Sequence, residues 1–257
     1  MDFSIIIINY KTADLTLNCV ESLLNLNTSH NCEIIVIDNN SQDNIKEILE
    51  SIDSDKVKLI INDKNLGFAQ ANNIGAKLAK GKYLLFLNSD TEVKEDIFTS
   101  AYNIFNNNPN VGLISPLIVD EQNNEQKNAY GGWPRLKNLI FNKLNKKIKN
   151  DIDWLSGCSL FIKKDLFKKI NGFDENFFLY FEDIDLCKRA SDLDYQCFLD
   201  RKTKVIHKGG KSIKRNKDRK KKYYKSQNYY FKKHYNKSME IIMRIIRLPI
   251  KIFKTIF

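Results

Sequence analysis

Short apolar runs alternate with helical stripes through the first half of the chain. Phe3 to Ile8 is a continuous β-branched run, the pattern of a strand buried on both faces. Leu15, Val20, Leu23 and Leu24 then recur at helical spacing, with Thr12 or Asp14 available as a cap. A second run, Glu33 to Ile37, precedes a stripe of Ile45, Ile48, Leu49 and Ile52. Val57 to Ile61 predicts a third strand. A helix from about Ala69 to Ala79 follows, with Gly81 expected as its C-cap. Tyr83 to Leu87 is the fourth strand. Strands that alternate with helices predict a mostly parallel, doubly wound α/β sheet with right-handed crossovers.

The second half is less regular. A helix is expected over Lys94–Phe105 and a strand over Val111–Leu117. Residues 120–135 read as a polar loop, and 136–149 as a basic surface helix. Trp154 to Ile162 is strand-like around Gly157, Lys163 to Ile170 helical, and Asn171-Gly172 a stop. An aromatic stretch, Phe173 to Phe181, leads into Glu182-Asp183-Ile184-Asp185, the acidic start of another helix. Lys204 to Ile206 is a short strand ending at His207.

Polar residues recur just past the strand ends: Asn9, Asp38 and Asp90. In an open α/β sheet such positions face one crevice, where ligands bind. Asn and Asp are also good turn residues, so each alone is ambiguous, and the three together favour a ligand. Acids at a helix start are stabilised by the positive helix end, which is one reading of Glu182, Asp183 and Asp185. The other is chemical: a carboxylate beside an aromatic wall is partly desolvated and better tuned as a base. A lone histidine such as His207 is more often structural than a ligand.

Composition narrows the class. The 257 residues, 42% hydrophobic, suffice for one large α/β domain. The N-terminus lacks a basic region and a long apolar run, so no secretory signal is expected, and no stretch is long enough to span a membrane. Five cysteines without CxxC spacing read as reduced thiols in a cytoplasmic setting. Charge is unevenly placed. Residues 1–200 hold 22 Lys/Arg against 29 Asp/Glu, whereas residues 201–257 hold 20 against 2. A basic tail on a mildly acidic body points to a polyanionic partner. In its last segment Arg244, Arg247, Lys251 and Lys254 form one stripe among isoleucines and phenylalanines, with Pro249 as a kink. That suits an anionic membrane surface better than nucleic acid, which is not expected as a partner. A helix packed on the protein's own core is the alternative.

Several segments, taken in order, resemble family 2 glycosyltransferases of the GT-A fold, especially the bacterial rhamnosyltransferase-like branch. They are Ile5 to Tyr10, Val36 to Ser41, Asn65 to Phe68 with Asn72-Asn73, Phe86 to Thr91, Trp154 to Gly157, Gly172 to Glu175, Phe181 to Leu186, and His207. The resemblance implies inverting transfer of a sugar from a nucleotide-diphosphate donor, dTDP- or UDP-linked, with rhamnose the branch's commonest sugar. The acceptor would be a saccharide or a polyprenyl-linked one in cell-surface polysaccharide synthesis. It further implies that Asn9, Tyr10 and Asp38 contact the nucleoside, and that Asn65, Gly67, Asn72 and Asn88 line the nucleotide-sugar pocket. Asp90, the last position of the DxD motif, and His207 would hold Mg2+ or Mn2+. Asp183 would be the general base with Glu182 beside it, and Trp154 and Gly157 would border donor sugar and acceptor. Two positions depart from the pattern: Asn88 replaces the first Asp of DxD, and Asn171 stands where a Gly is common.

The expected organisation is a glycosyltransferase domain over 1–237, with a nucleotide-sugar half (1–118) and an acceptor half (119–237). An amphipathic tail over 238–257 would hold the protein on the inner face of the cell membrane. Asn88 also leaves room for a non-catalytic relative that binds nucleotide-sugar or organises a biosynthetic complex.

Overall fold

The computed structural model describes residues 1–52, 54–134, 152–209 and 217–245. Ten strands and the helices between them follow the chain as β1 (Phe3–Asn9), α1 (Ala13–Leu24), β2 (Cys32–Asp38), α2 (Ile45–Glu50), β3 (Val57–Ile61), α3 (Gly67–Leu78), β4 (Tyr83–Asn88), β5 (Thr91–Glu92) and α4 (Ile97–Asn107). The second half adds β6 (Val111–Val119), β7 (Tyr130–Gly131), β8 (Trp154–Leu155), β9 (Ser159–Lys163), α5 (Lys164–Lys169), α6 (Glu182–Ser191), β10 (Gln196–His207) and α7 (Lys217–His234). Residues 237–245 are helical again.

Eight strands form one sheet in the order β3-β2-β1-β4-β9-β6-β10-β5. The first four are mutually parallel, as the alternating pattern predicts. β9 then enters antiparallel between β4 and β6, and β5 closes the far edge antiparallel to β10. The sheet is therefore mixed, with a parallel majority.

Side chains on a strand point alternately to opposite faces, and that period separates two cores. Ile6, Leu84, Phe86, Leu160 and Ile162 join the core that also takes Ala69, Ala71 and Ala76 of α3, Phe167 of α5, and Leu186 of α6. Ile5, Ile7, Leu85, Leu87 and Phe161 face the other way, onto Val20 and Leu23 of α1, Leu49 of α2, and Phe98 and Phe105 of α4. Strands buried on both faces need apolar residues at every position, which is why they read as uninterrupted runs.

Several local expectations are corrected. Gly81 is not the cap of α3, whose C-cap is Ala79. Its small size serves a close approach instead: a Cβ there would lie 2.5 Å from the Ser4 amide nitrogen. The helix expected from Lys94 starts at Ile97, because Asp96 caps it by accepting from the Phe98 and Thr99 amides. The single strand expected over Trp154–Ile162 is two, β8 and β9, separated by a turn at Ser156–Cys158. The short strand expected at Lys204 is the end of the 12-residue β10. The expected helix over 136–149 lies outside the described residues, as does the tail beyond residue 245.

Candidate active site

Strands β1, β2 and β4 end together, and the chain reverses direction around β1, so a crevice opens at their carboxyl ends. A cavity of about 540 Å³ lies there. It is lined from β1 and its following turn by Ile8, Tyr10, Lys11 and Thr12, and from the β4 end by Asn88, Ser89 and Asp90. Asn39, Asn65, Gly67 and Phe68 supply another wall, and Phe178, Leu179, Asp218, Arg219 and Lys222 the rest.

Of the residues singled out in the sequence, Tyr10, Asn65, Gly67, Asn88 and Asp90 line the cavity. Asn9 and Asp38 do not. Asn9 is fully buried, and its amide donates to Asp38 Oδ1 and Ser41 Oγ, each at 2.8 Å. Its carbonyl accepts from Thr12 and Thr16. Asp38 in turn accepts from the Ser41 backbone amide at 3.1 Å. Both side chains are spent in tying the β1 and β2 ends together behind the cavity wall. Asn72, on α3, is also buried and off the lining. The neighbouring Asn73 clamps α3 to the later loop, exchanging two 2.9 Å hydrogen bonds with the Phe173 backbone.

Asn39 is a lining residue that the sequence reading left without a role. Its amide donates to the Gly67 carbonyl at 3.1 Å, and its oxygen accepts from Asn62 Nδ2 at 3.0 Å and the Leu66 amide at 3.2 Å. It shapes the turn that presents Asn65 and Gly67. Gly67 has φ +80°, and a Cβ there would sit 2.5 Å from the Phe178 carbonyl oxygen. Only glycine permits both the backbone angle and that approach. The contact is closed by the Phe68 amide donating to Phe178 O at 2.9 Å.

Asp90 and His207 meet at the cavity edge. The pairing of β10 with β5 sets His207 against Thr91, and so beside Asp90. His207 Nε2 lies 3.2 Å from Asp90 Oδ1. Asp90 is only 4% exposed. Gln126 fixes the ring: its Nε2 donates to the His207 carbonyl at 2.7 Å, which leaves its Oε1 to face Nδ1 at 2.8 Å. That arrangement makes Nδ1 the donor and directs Nε2 to Asp90. Burial alone would lower the pKa of His207, but the charge of a Cys158 thiolate and the Asp90 carboxylate outweigh it and hold it up at about 10.

With Nε2 deprotonated, a carboxylate oxygen and an imidazole nitrogen converging this closely fit a divalent cation that takes its other ligands from phosphate and water; the cation would replace the proton that Asp90 now favours on the ring. Among the described residues no group of three or more His, Cys, Asp or Glu side chains is arranged to hold a metal. Among the described residues the two donors that converge here are Asp90 and His207.

Asp183 stands at the start of α6. Its Oδ2 accepts from the Gly157 amide at 3.0 Å and its Oδ1 from the Ile184 amide at 2.8 Å. Desolvation nevertheless raises its pKa above the ordinary carboxylate range. Glu182 is more deeply buried, its Oε2 has no hydrogen-bond partner, and burial followed by the Asp183 charge pushes it well up. Burial and the neighbouring Asp183 charge thus both favour the neutral form of Glu182.

Gly157 connects this carboxylate to the cavity, since a Cβ there would lie 3.1 Å from the Phe68 ring and 3.6 Å from Asp183 Cβ. The next residue, Cys158, lies beside His207. Trp154 is set back in β8, where its indole donates to the Gly132 carbonyl at 3.1 Å.

Residues 4–170 match the family described as Glycosyl transferase family 2. The chain belongs to this family. Residues 139–227 also match the family described as the N-terminal domain of galactosyltransferase. Among curated relatives, this family 2 chain is 27% identical over 197 residues to the low-salt glycan biosynthesis hexosyltransferase Agl10 of Haloferax volcanii, covering 74% of this chain and 61% of that one. It is 27% identical over 200 residues to the rhamnosyltransferase WbbL of Escherichia coli, covering 62% and 76%. The chain thus spans about three fifths of Agl10's own length.

Solved structures share the fold. GalNAc-T7 with UDP, GalNAc and Mn2+ superposes with a TM-score of 0.65 at 18% identity, over 80% of this chain and 44% of that one. The mannosyltransferase PcManGT of Pyrobaculum calidifontis, in complex with GDP-Man and Mn2+, gives 0.62 at 16%, over 81% and 57%. These likenesses establish the architecture, a GT-A fold.

Proposed function

We propose that this family 2 glycosyltransferase transfers a sugar, with inversion, from a nucleotide-diphosphate donor to a hydroxyl of a saccharide or lipid-linked acceptor. The observation that carries the reading is the separation of two acidic centres, Asp90 in the cavity lining and Asp183 behind the Phe68 wall of that cavity, next to Gly157. Asp90 with His207 lies at the end of β4, and Asp183 stands apart at the start of α6, reached through Gly157. Inverting transfer needs that separation, because the acceptor attacks the anomeric carbon from the face opposite the leaving diphosphate.

The nucleoside sits against Tyr10, Asn39 and Asn65, and the diphosphate runs toward Asp90. Asp183, poised by desolvation, takes the proton of the acceptor hydroxyl. As the new bond from that oxygen to the anomeric carbon forms, the bond to the diphosphate oxygen breaks and its electrons leave with the diphosphate. Asp90 and His207 would hold Mg2+ or Mn2+, which supplies Lewis-acid stabilisation of the leaving group. The Gly157 and Ile184 amides keep Asp183 aimed. The named relatives support a hexose or deoxyhexose as the transferred sugar, with rhamnose on a dTDP donor the first to try.

The direct test is Asp183→Asn with donor and acceptor supplied, followed by product analysis. Loss of about 10²–10⁴-fold in kcat, with donor affinity kept, is expected of a general base. Turnover near that of the unaltered enzyme would rule the assignment out. The non-catalytic alternative, which Asn88 keeps in view, predicts donor binding without transfer or hydrolysis in either protein.

Membrane contact belongs to the same proposal. Residues 237–245 bury Met243 and expose Ile241, Ile242 and Ile245 beside Arg244. Among the described residues no helix is long and apolar enough to cross a membrane. Deletion of 238–257 is expected to abolish co-sedimentation with anionic liposomes, and equal binding by the deleted protein would refute the idea.

A further inference from the structure

Two basic side chains reach the cavity from an element outside every motif in the nucleotide half. Arg219 and Lys222 lie three residues apart on α7, hence on one face of the helix, and both line the cavity. Each cation is seated over an aromatic ring. Lys222 Nζ is 4.5 Å from the centroid of Phe178, and the Arg219 guanidinium 5.7 Å from that of Tyr180. The Tyr180 hydroxyl also accepts from Arg219 Nε. Among the described residues neither cation is ion-paired with a carboxylate. The helix beneath them is fastened: Ser226 Oγ donates to the Leu179 carbonyl at 2.8 Å, Tyr229 OH donates to Asp174 at 3.0 Å, and Lys233 Nζ lies 2.7 Å from both Asp174 and Asp185. The cations are therefore held at the cavity, not swept through solvent.

The cavity also takes in Lys11 and Asp218, and its β4 end is poor in carboxylates. Asn88 is neutral, so Asp90 is the single carboxylate that the β4 end offers to a metal. A cation held by one carboxylate and one imidazole binds more weakly than one held by two carboxylates. A nucleoside diphosphate carries charge that such a site neutralises only in part.

We propose that Arg219 and Lys222 bind the diphosphate of the nucleotide directly, so that nucleotide binding does not depend wholly on a metal. The inference rests on the nucleotide-diphosphate reading above and adds the residues that carry it without a cation. Guanidinium and ammonium groups suit phosphate oxygens, and a preorganised pair loses little freedom on binding.

The test is titration calorimetry of the full chain with UDP, dTDP and GDP, each in EDTA and each with Mn2+, at fixed ionic strength. The proteins are the unaltered chain, Lys222→Gln, and Arg219→Gln/Lys222→Gln. At least one nucleotide is expected to bind the unaltered chain in EDTA. The double variant is expected to lose roughly tenfold or more of that affinity, while keeping its affinity for the corresponding uncharged nucleoside. Lys222→Gln, at an exposed position, should show part of the loss, and it serves if the double variant does not fold. Unchanged affinity in EDTA for the variants overturns the proposal. So does binding by the unaltered chain that appears only with Mn2+, and that result leaves the transferase reading intact. Failure of all three nucleotides to bind with or without metal overturns both.

Discussion

Asp183 is exposed to two opposed influences. Two backbone amides donate to it and favour its charge, yet desolvation prevails and its pKa is raised. A base works deprotonated, so activity falls as pH drops through the raised value. The acid limb of kcat against pH is therefore expected above the ordinary aspartate value of about 4. A pH–rate profile with no decline until pH 4 would contradict this. Asn9 shows that a residue's type can be legible while its neighbours are not. A polar side chain at a strand end was legible, but whether it faces a ligand or a neighbouring loop depends on where Ser41 and Thr16 come to lie. Gly67 has the sharpest steric demand of the lining residues. Gly67→Ala is expected to cost about 1–2 kcal/mol for the left-handed backbone alone. A lowered urea midpoint, together with weaker nucleotide binding from a displaced Phe178, checks it.

At the scale of elements, α6 and α7 are joined through Asp185, an acid that the sequence offered as a helix-start residue. Asp185 is fully buried and meets Arg189, Lys233 and His234, each at 2.7 Å. Removing it strands the Arg189 and Lys233 cations and leaves His234 Nε2 without this partner, so Asp185→Ala is expected to destabilise the fold by about 3–5 kcal/mol, read by chemical denaturation. Burial opposes the ionisation of Asp174, but Lys233 and the Asn176 amides outweigh it and hold its pKa down to about 2. Asp185 is lowered as well, burial being outweighed by His234, Arg189 and Lys233. A depressed carboxylate stabilises the fold above its unfolded pKa and loses that contribution as pH falls through the folded one. The melting temperature should accordingly drop between about pH 4 and pH 2, and less steeply in Asp174→Asn. The helices and strands of the first half were readable because apolar runs and turn residues coincide there. β10 was not, beyond its last residues: Gln196 to Thr203 is largely polar, and its register against β6 shifts at Asp200. The basic run on α7 was visible as charge. That two of its members face the cavity is set by docking against Tyr180 and Asp174, which no local pattern encodes.

For the whole molecule, burial is graded across the sheet. β1, β4 and β9 are covered on both faces, whereas β3 is an edge strand whose Ile61 is 54% exposed. Amide hydrogen exchange should be slowest in β1 and β4 and fastest, among the long strands, in β3. Equal protection across the sheet would show that it opens as a unit. The place of β9 has a consequence for how the chain is made. β4 is complete by Asn88, yet its neighbour on one side arrives only with Ser159–Lys163, pairing Tyr83 with Lys163 and Leu87 with Ser159. On a ribosome the strand that ends at Asn88 must wait, with one backbone edge open, for some seventy further residues at roughly 5–20 residues per second. For those seconds an apolar strand edge is a template for any other chain, so synthesis itself, more than the finished fold, is the stage at which aggregation threatens.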